Sequence, residues 1–141
     1  MSTASEAIAI VRRNTEAVQG RGDFEVFDEL FAADFVDHTP QRGFGADREA
    51  VRALYRAVRA AFPDFRPEIH FQVAADDGMV TTYKTYHGTH RGPFMGAAAT
   101  GKRVRFDTVD VMRVRGGKIV EHWGVADLLG LMIQVGVVAS P

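Results

Sequence analysis

The 141-residue chain has no cysteine. That absence excludes disulfide bridges, thiolate nucleophiles and thiolate-bound zinc. Serine is scarce: Ser2, Ser5 and Ser140 all lie near the termini, and no Gly-x-Ser-x-Gly phrase marks a serine hydrolase. No charge of one sign dominates, with 17 basic against 18 acidic residues and a formal net charge of −1. Such a balance argues against a nucleic-acid footprint or a surface drawn to anionic lipid. No apolar run approaches the roughly 20 residues needed to span a bilayer; the longest, from residue 128 to 139, is broken by Gly130, Gln134 and Gly136. Met1 to Glu6 has neither the basic nor the apolar region of a secretion signal. The expectation is a cytoplasmic protein with no membrane and no nucleic acid as partner.

Of the residues present, 46% are hydrophobic, enough for a packed core in one domain spanning residues 1–141. The first third has helical period. Ile8, Val11 and Val18 share a stripe that ends at Gly20-Arg21-Gly22. Asp23 is placed to cap a second helix carrying Phe24, Phe27, Leu30 and Phe31, and Phe35 to His38 reads as extended. Asp47 caps a third helix with Val51, Leu54, Tyr55, Val58 and Phe62 on one face, stopped by Pro63. After Glu68 the period changes to alternation, with turns at residues 75–78, 92–96 and 116–117. Helices first and a meander afterwards predict an α+β fold: three N-terminal helices packed on a curved antiparallel sheet, with a pocket between the layers.

The closing strand, Glu121 to Asp127, holds a histidine, a tryptophan and two carboxylates. An apolar wall around a few polar groups is how a small-molecule site is built. Alternation puts Glu121, Trp123, Val125 and Asp127 on one side and His122, Gly124 and Ala126 on the other. The expectation is that Trp123 and Asp127 share the cavity and that His122 joins them only through a bulge near Gly124. Asp127 is either a proton-transfer group or the N-cap of the helix that follows. Asp110 falls on the mostly apolar face Phe106, Thr108, Asp110, Met112, Val114, where it either makes a structural hydrogen bond or stabilises an oxyanion. His38 and His122 are candidates to orient an aspartate or polarise a carbonyl. Trp123 and Tyr83, each with a polar tip, are candidate walls, with Phe35 and Met112. Asp107 reads as a cross-strand partner for the neighbouring arginines. The five histidines show no His-x-x-x-His spacing, so no metal is expected. Valines on the outer face and the apolar tail predict a homodimer or higher homo-oligomer.

The helix-first order, with the phrases Leu30 to His38, Val109 to Val114 and Gly117 to Trp123, resembles the nuclear-transport-factor-like cone fold. The ending Trp123 to Gly136 is similar to the SnoaL-like polyketide cyclases. The resemblance implies ring closure by intramolecular aldol condensation, through an enolate, with one aspartate as general acid/base and no metal or cofactor. That aspartate would fall on Asp127. The oxyanion-hole acid of ketosteroid isomerases would fall on Asp110 and their base on Asp37, but the first helix here has no tyrosine. The resulting expectation is metal-free acid/base chemistry on a hydrophobic carbonyl compound, with Asp127, Asp110, His38 and His122 as catalytic candidates. The same fold also admits a non-catalytic binding module, an isomerase, or an epoxide hydrolase using Arg105 and Asp107.

Overall fold

The computed structural model describes residues 3–140. Met1 and Ser2, part of the opening stretch read above as lacking a secretion signal, lie outside the described residues, as does Pro141. Helix α1 (Ala4–Arg13) starts at a capping box, in which Thr3 accepts from the Glu6 N–H and Glu6 reaches back to Thr3. The chain then widens into a π-helical segment, Asn14–Gln19, that buries Asn14 and Gln19. Helix α2 (Phe24–Leu30) is capped by Asp23, and α3 (Arg48–Ala61) by Asp47. The strands are β1 (Phe31–Asp37), β2 (Arg66–Ala74), β3 (Met79–Thr89), β4 (Arg103–Arg115) and β5 (Lys118–Ala126). A last helix, α4 (Leu128–Gln134), follows β5 directly.

The five strands form one sheet in the order β1-β5-β4-β3-β2. The α+β class is as expected, with two differences. A fourth helix joins the three N-terminal ones, and β1 runs parallel to β5 in a sheet otherwise antiparallel. The parallel edge arises because α2 passes straight into β1 at Phe31, and α3 intervenes before the meander begins. Gly116 and Gly117, at φ 58° and 76°, form the two-residue turn between β4 and β5. Only glycine takes two consecutive left-handed positions at no steric cost. No helix among the described residues is long and apolar enough to cross a membrane.

Two apolar clusters hold the helices to the sheet. One gathers Phe27, Phe31 and Phe35 with Met112, Val114 and Ile119. The other gathers Phe62, Phe65, Val104 and Phe106 with Leu131 of α4. Along the inner face of β4, Val104 and Phe106 belong to the second cluster, and Met112 and Val114 to the first. Thr108 and Asp110 are the two inward residues left between them, and the cavity opens there.

Candidate functional site

The cavity has a volume of about 440 Å³. Its wall is mainly apolar, including Phe31, Phe35, Leu54, Phe94, Phe106 and Met112. The polar groups that reach it from the sheet are Asp37, Thr108, Asp110, His122 and Tyr86; Gln19, Tyr55 and Arg59 reach it from the helices.

Asp110 is 3% exposed and pairs with Lys84, Nζ to Oδ2 at 3.0 Å. Lys84 is fully buried and also donates to Gln19 Oε1 at 3.3 Å. Burial pulls the ammonium down, but the charge and hydrogen bond of Asp110, together with Tyr86 and Tyr55, outweigh that cost and hold the lysine above its usual range. The pair is therefore ionised, because a lone buried charge of either sign would neutralise. The second carboxylate oxygen, Oδ1, is buried and has no partner among the described residues. A buried acceptor with nothing bonded to it is costly in a finished core and useful in a site that awaits a ligand.

His122 stands beside it, Nε2 to Asp110 Oδ2 at 3.9 Å. Its Nδ1 lies 2.9 Å from Asp37 Oδ1. An ionised carboxylate only accepts, so Nδ1 carries the proton and Nε2 faces Asp110. Burial raises Asp37, but the hydrogen bond and charge of His122 and two hydrogen bonds from Thr39 outweigh it, leaving the carboxyl below the usual range. Tyr55 OH accepts from Asn14 Nδ2 at 3.1 Å, so that bond does not consume its own proton. Burial pushes the Tyr55 and Tyr86 phenols up, so both remain protonated donors.

The structure brings Asp110, His122, Phe35 and Met112 together at the cavity and leaves the other four sequence candidates outside it. Asp127 is exposed and caps α4, accepting from Gly130 N at 2.9 Å. Trp123 lies on the opposite face of the sheet, stacked on His38 with ring centroids 4.6 Å apart. His38 is exposed there and bonds Glu121 at 2.9 Å. Tyr83 also faces outward, donating to Asp107 at 2.9 Å.

The expected sidedness of β5 is reversed, and a bulge is the reason. Val114 pairs with Ile119 but Arg113 pairs with Glu121, so Val120 is an extra residue. Counting by twos from the buried Ile119 would turn Glu121 and Trp123 inward; the bulge turns His122 and Gly124 inward instead. It sits at Val120, four residues before the position expected. Arg105 and Asp107, the hydrolase candidates, are exposed and line no part of the cavity.

Sequence reasoning did not single out Lys84, Gln19, Tyr55 or Tyr86 as site residues. A signal for Lys84 exists in the alternation Val80, Thr82, Lys84, Tyr86, which places a lysine on the same strand face as core residues, the sheet face that also bears Asp110 on β4. Gln19 gives no such signal, because its inward aim depends on the π-helical widening.

A family model described as SnoaL-like polyketide cyclase matches residues 9–135. The chain is 27% identical over 137 residues to the aklanonic acid methyl ester cyclase DnrD of Streptomyces peucetius, covering 94% of this chain and 92% of that one. It is 27% identical over 110 residues to the nogalonic acid methyl ester cyclase of Streptomyces nogalater, covering 77% and 82%. The solved structure of TsrD from Streptomyces laurentii superposes with a TM-score of 0.87 over 98% of this chain and all of that one; at 22% identity that likeness concerns the fold.

Proposed function

The chain belongs to the SnoaL-like polyketide cyclase family, and from that premise we propose that it closes a ring on a hydrophobic carbonyl compound by intramolecular aldol condensation. The observation that carries the proposal is the unpartnered Oδ1 of Asp110, ionised by Lys84, in an apolar cavity beside the His122–Asp37 pair. Asp110 takes the proton from the carbon between two carbonyls and becomes neutral. The resulting enolate oxygen accepts a hydrogen bond from Tyr55. The enolate carbon attacks the second carbonyl, forming one carbon–carbon bond. The protonated His122 gives its Nε2 proton to the new alkoxide and becomes neutral, while Asp37 keeps the ring in place. Asp110 then returns its proton to His122 across the short gap between them, which closes the cycle. The chemistry draws on these side chains alone, and the product has the mass of the substrate. This assignment moves the general-base role from Asp127 to Asp110.

The experiment is solvent deuterium exchange. A panel of aromatic and alicyclic β-keto methyl esters is incubated with the protein in D₂O, and label at the acidic carbon is followed by NMR. Ring closure is followed as a change of retention at constant mass. Exchange above the buffer rate, lowered by a factor of roughly 10²–10⁴ in Asp110→Asn, is the expected result. An Asp110→Asn variant that exchanges and cyclises as fast as the parent would sink the assignment.

A second proposal concerns assembly. Phe71, Val73, Val109 and Val125 are 54%, 58%, 44% and 77% exposed, and the strand register puts them on the outer face of the sheet with Trp123. We propose that a second copy of the chain covers this face in a homodimer, since one apolar patch of this kind is self-complementary about a twofold axis.

A further inference from the structure

The acid role given to His122 requires its ring to hold one place between two carboxylates. Gly124 leaves the room for it. It lies on the same face of β5 two residues on and pairs with Asp110 across the sheet. A Cβ built on Gly124 would stand 2.9 Å from His122 Nε2, 3.0 Å from Cε1 and 3.2 Å from Asp110 Cβ. Contacts that short force a neighbour to move. Backbone freedom does not account for a glycine here, because Gly124 is not among the residues with positive φ. Its N–H also donates to Thr39 Oγ1 at 2.8 Å, and that hydroxyl in turn donates to Asp37.

We propose that Gly124 is a positioning residue, whose missing side chain provides the seat that keeps His122 Nδ1 on Asp37 and Nε2 toward Asp110. The proposal rests on the acid role given to His122 above. Of the two groups a methyl at residue 124 would meet, the ring is the one that yields. Asp110 is fixed by the strand backbone and by Lys84, whereas the His122 side chain is 21% exposed and borders open cavity. The charged groups facing the ring are Asp37 from β1 and Asp110 from β4, with Lys84 of β3 behind Asp110. A displaced ring leaves the acceptor that fixes its tautomer.

The test needs no substrate. Histidine-selective ¹⁵N NMR is recorded for the parent and for Gly124→Ala across neutral and mildly alkaline pH. Where the ring is in its neutral form, the parent's His122 is expected to be the Nδ1–H tautomer. Gly124→Ala is expected to shift it toward the Nε2–H form and to leave the His70 and His87 signals in place. Melting is then compared in two backgrounds. Gly124→Ala lowers Tm by about 3 °C or more in the parent and by no more than about 1 °C in His122→Ala, where the ring is gone. Unchanged His122 nitrogen shifts, or an equal Tm loss in both backgrounds, would overturn the proposal. So would loss of folding in both; loss in the parent background alone supports it. If the parent exchanges no substrate deuterium, the functional reading fails while the nitrogen shifts still decide the role of Gly124.

Discussion

Replacing Lys84 by methionine removes the ammonium that bonds Asp110 while keeping the volume of the side chain. The pair is 3.0 Å apart, with Lys84 fully buried and Asp110 3% exposed. Taking away one member of such a pair costs roughly 3–5 kcal/mol, because the other is left as an uncompensated buried charge. For a chain of 141 residues the unfolding entropy near Tm is about 0.3 kcal/mol per kelvin. The expected fall in Tm is therefore roughly 10–17 °C. Calorimetry and urea titration of the variant measure it directly. The double variant Lys84→Met/Asp110→Leu should recover most of the loss, since a buried ion pair and an apolar pair of equal volume are of similar stability. The pH dependence carries a sign. Lys84 titrates above its ordinary value in the folded chain, so its contribution is complete below the unfolded pKa of about 10.4 and fades as pH rises beyond it toward the folded value. The parent-minus-variant difference should thus shrink above about pH 10, and it should also shrink toward acid, where the unpaired Asp110 of the variant takes up a proton. A Tm loss under about 3 °C, or a difference that grows toward acid, would refute the reasoning.

Other outcomes follow from the same geometry. Asp37→Asn should lower turnover by a factor on the order of 10² with a smaller change in KM, because His122 loses its orienting acceptor; equal rates would detach Asp37 from the mechanism. The depressed Asp37 carboxyl adds stability that is present above the unfolded pKa of about 3.9 and is lost as pH falls through the lower folded value, so acid melts of the parent should show a step missing in the variant. Asp127→Ala should cost about 1 kcal/mol of stability by uncapping α4 and leave turnover within about twofold; a hundredfold loss would return Asp127 to the chemistry. Val125→Glu should convert a dimer to a monomer in light scattering, and a monomeric parent would remove the proposed sheet-face assembly.

Much of this was legible in the residues. Asp23, Asp47 and the paired glycines at 116–117 act as the caps and turn that their chemistry implies, since these signals are local. The inner face of β4 was legible too, because Val104, Phe106, Thr108, Asp110, Met112 and Val114 keep strict period two and each is buried. The site was less so. Trp123 and Asp127 were chosen as a pocket pair because their side chains suit one, but which side of β5 faces inward is set by an extra residue at Val120 that alternation alone does not show. Tyr83 and Tyr86 lie three residues apart on one strand, and only their neighbours across the sheet, Asp107 for one and Phe106 for the other, tell the outward ring from the wall. Asp37 stood in the sequence as an isomerase base; the partner that defines it, His122, is 85 residues away.

The bulge at Val120 makes the site a matter of parity. Whether Val120 takes a place in the ladder after the fully buried Ile119 or bulges out of it decides which half of β5 reaches the ligand. A slip of β5 that took Val120 into the ladder opposite Arg113, with the glycine turn and Ile119 held in register, would deliver Glu121 and Trp123 to the cavity and send His122 to the outer face. An acidic, indole-walled chamber and an imidazole-bearing one are thus a single step of register apart on the same scaffold. A lineage carrying this fold can exchange one set of reactive groups for another by a one-residue slip, with the helices, the sheet order and the two apolar clusters left standing.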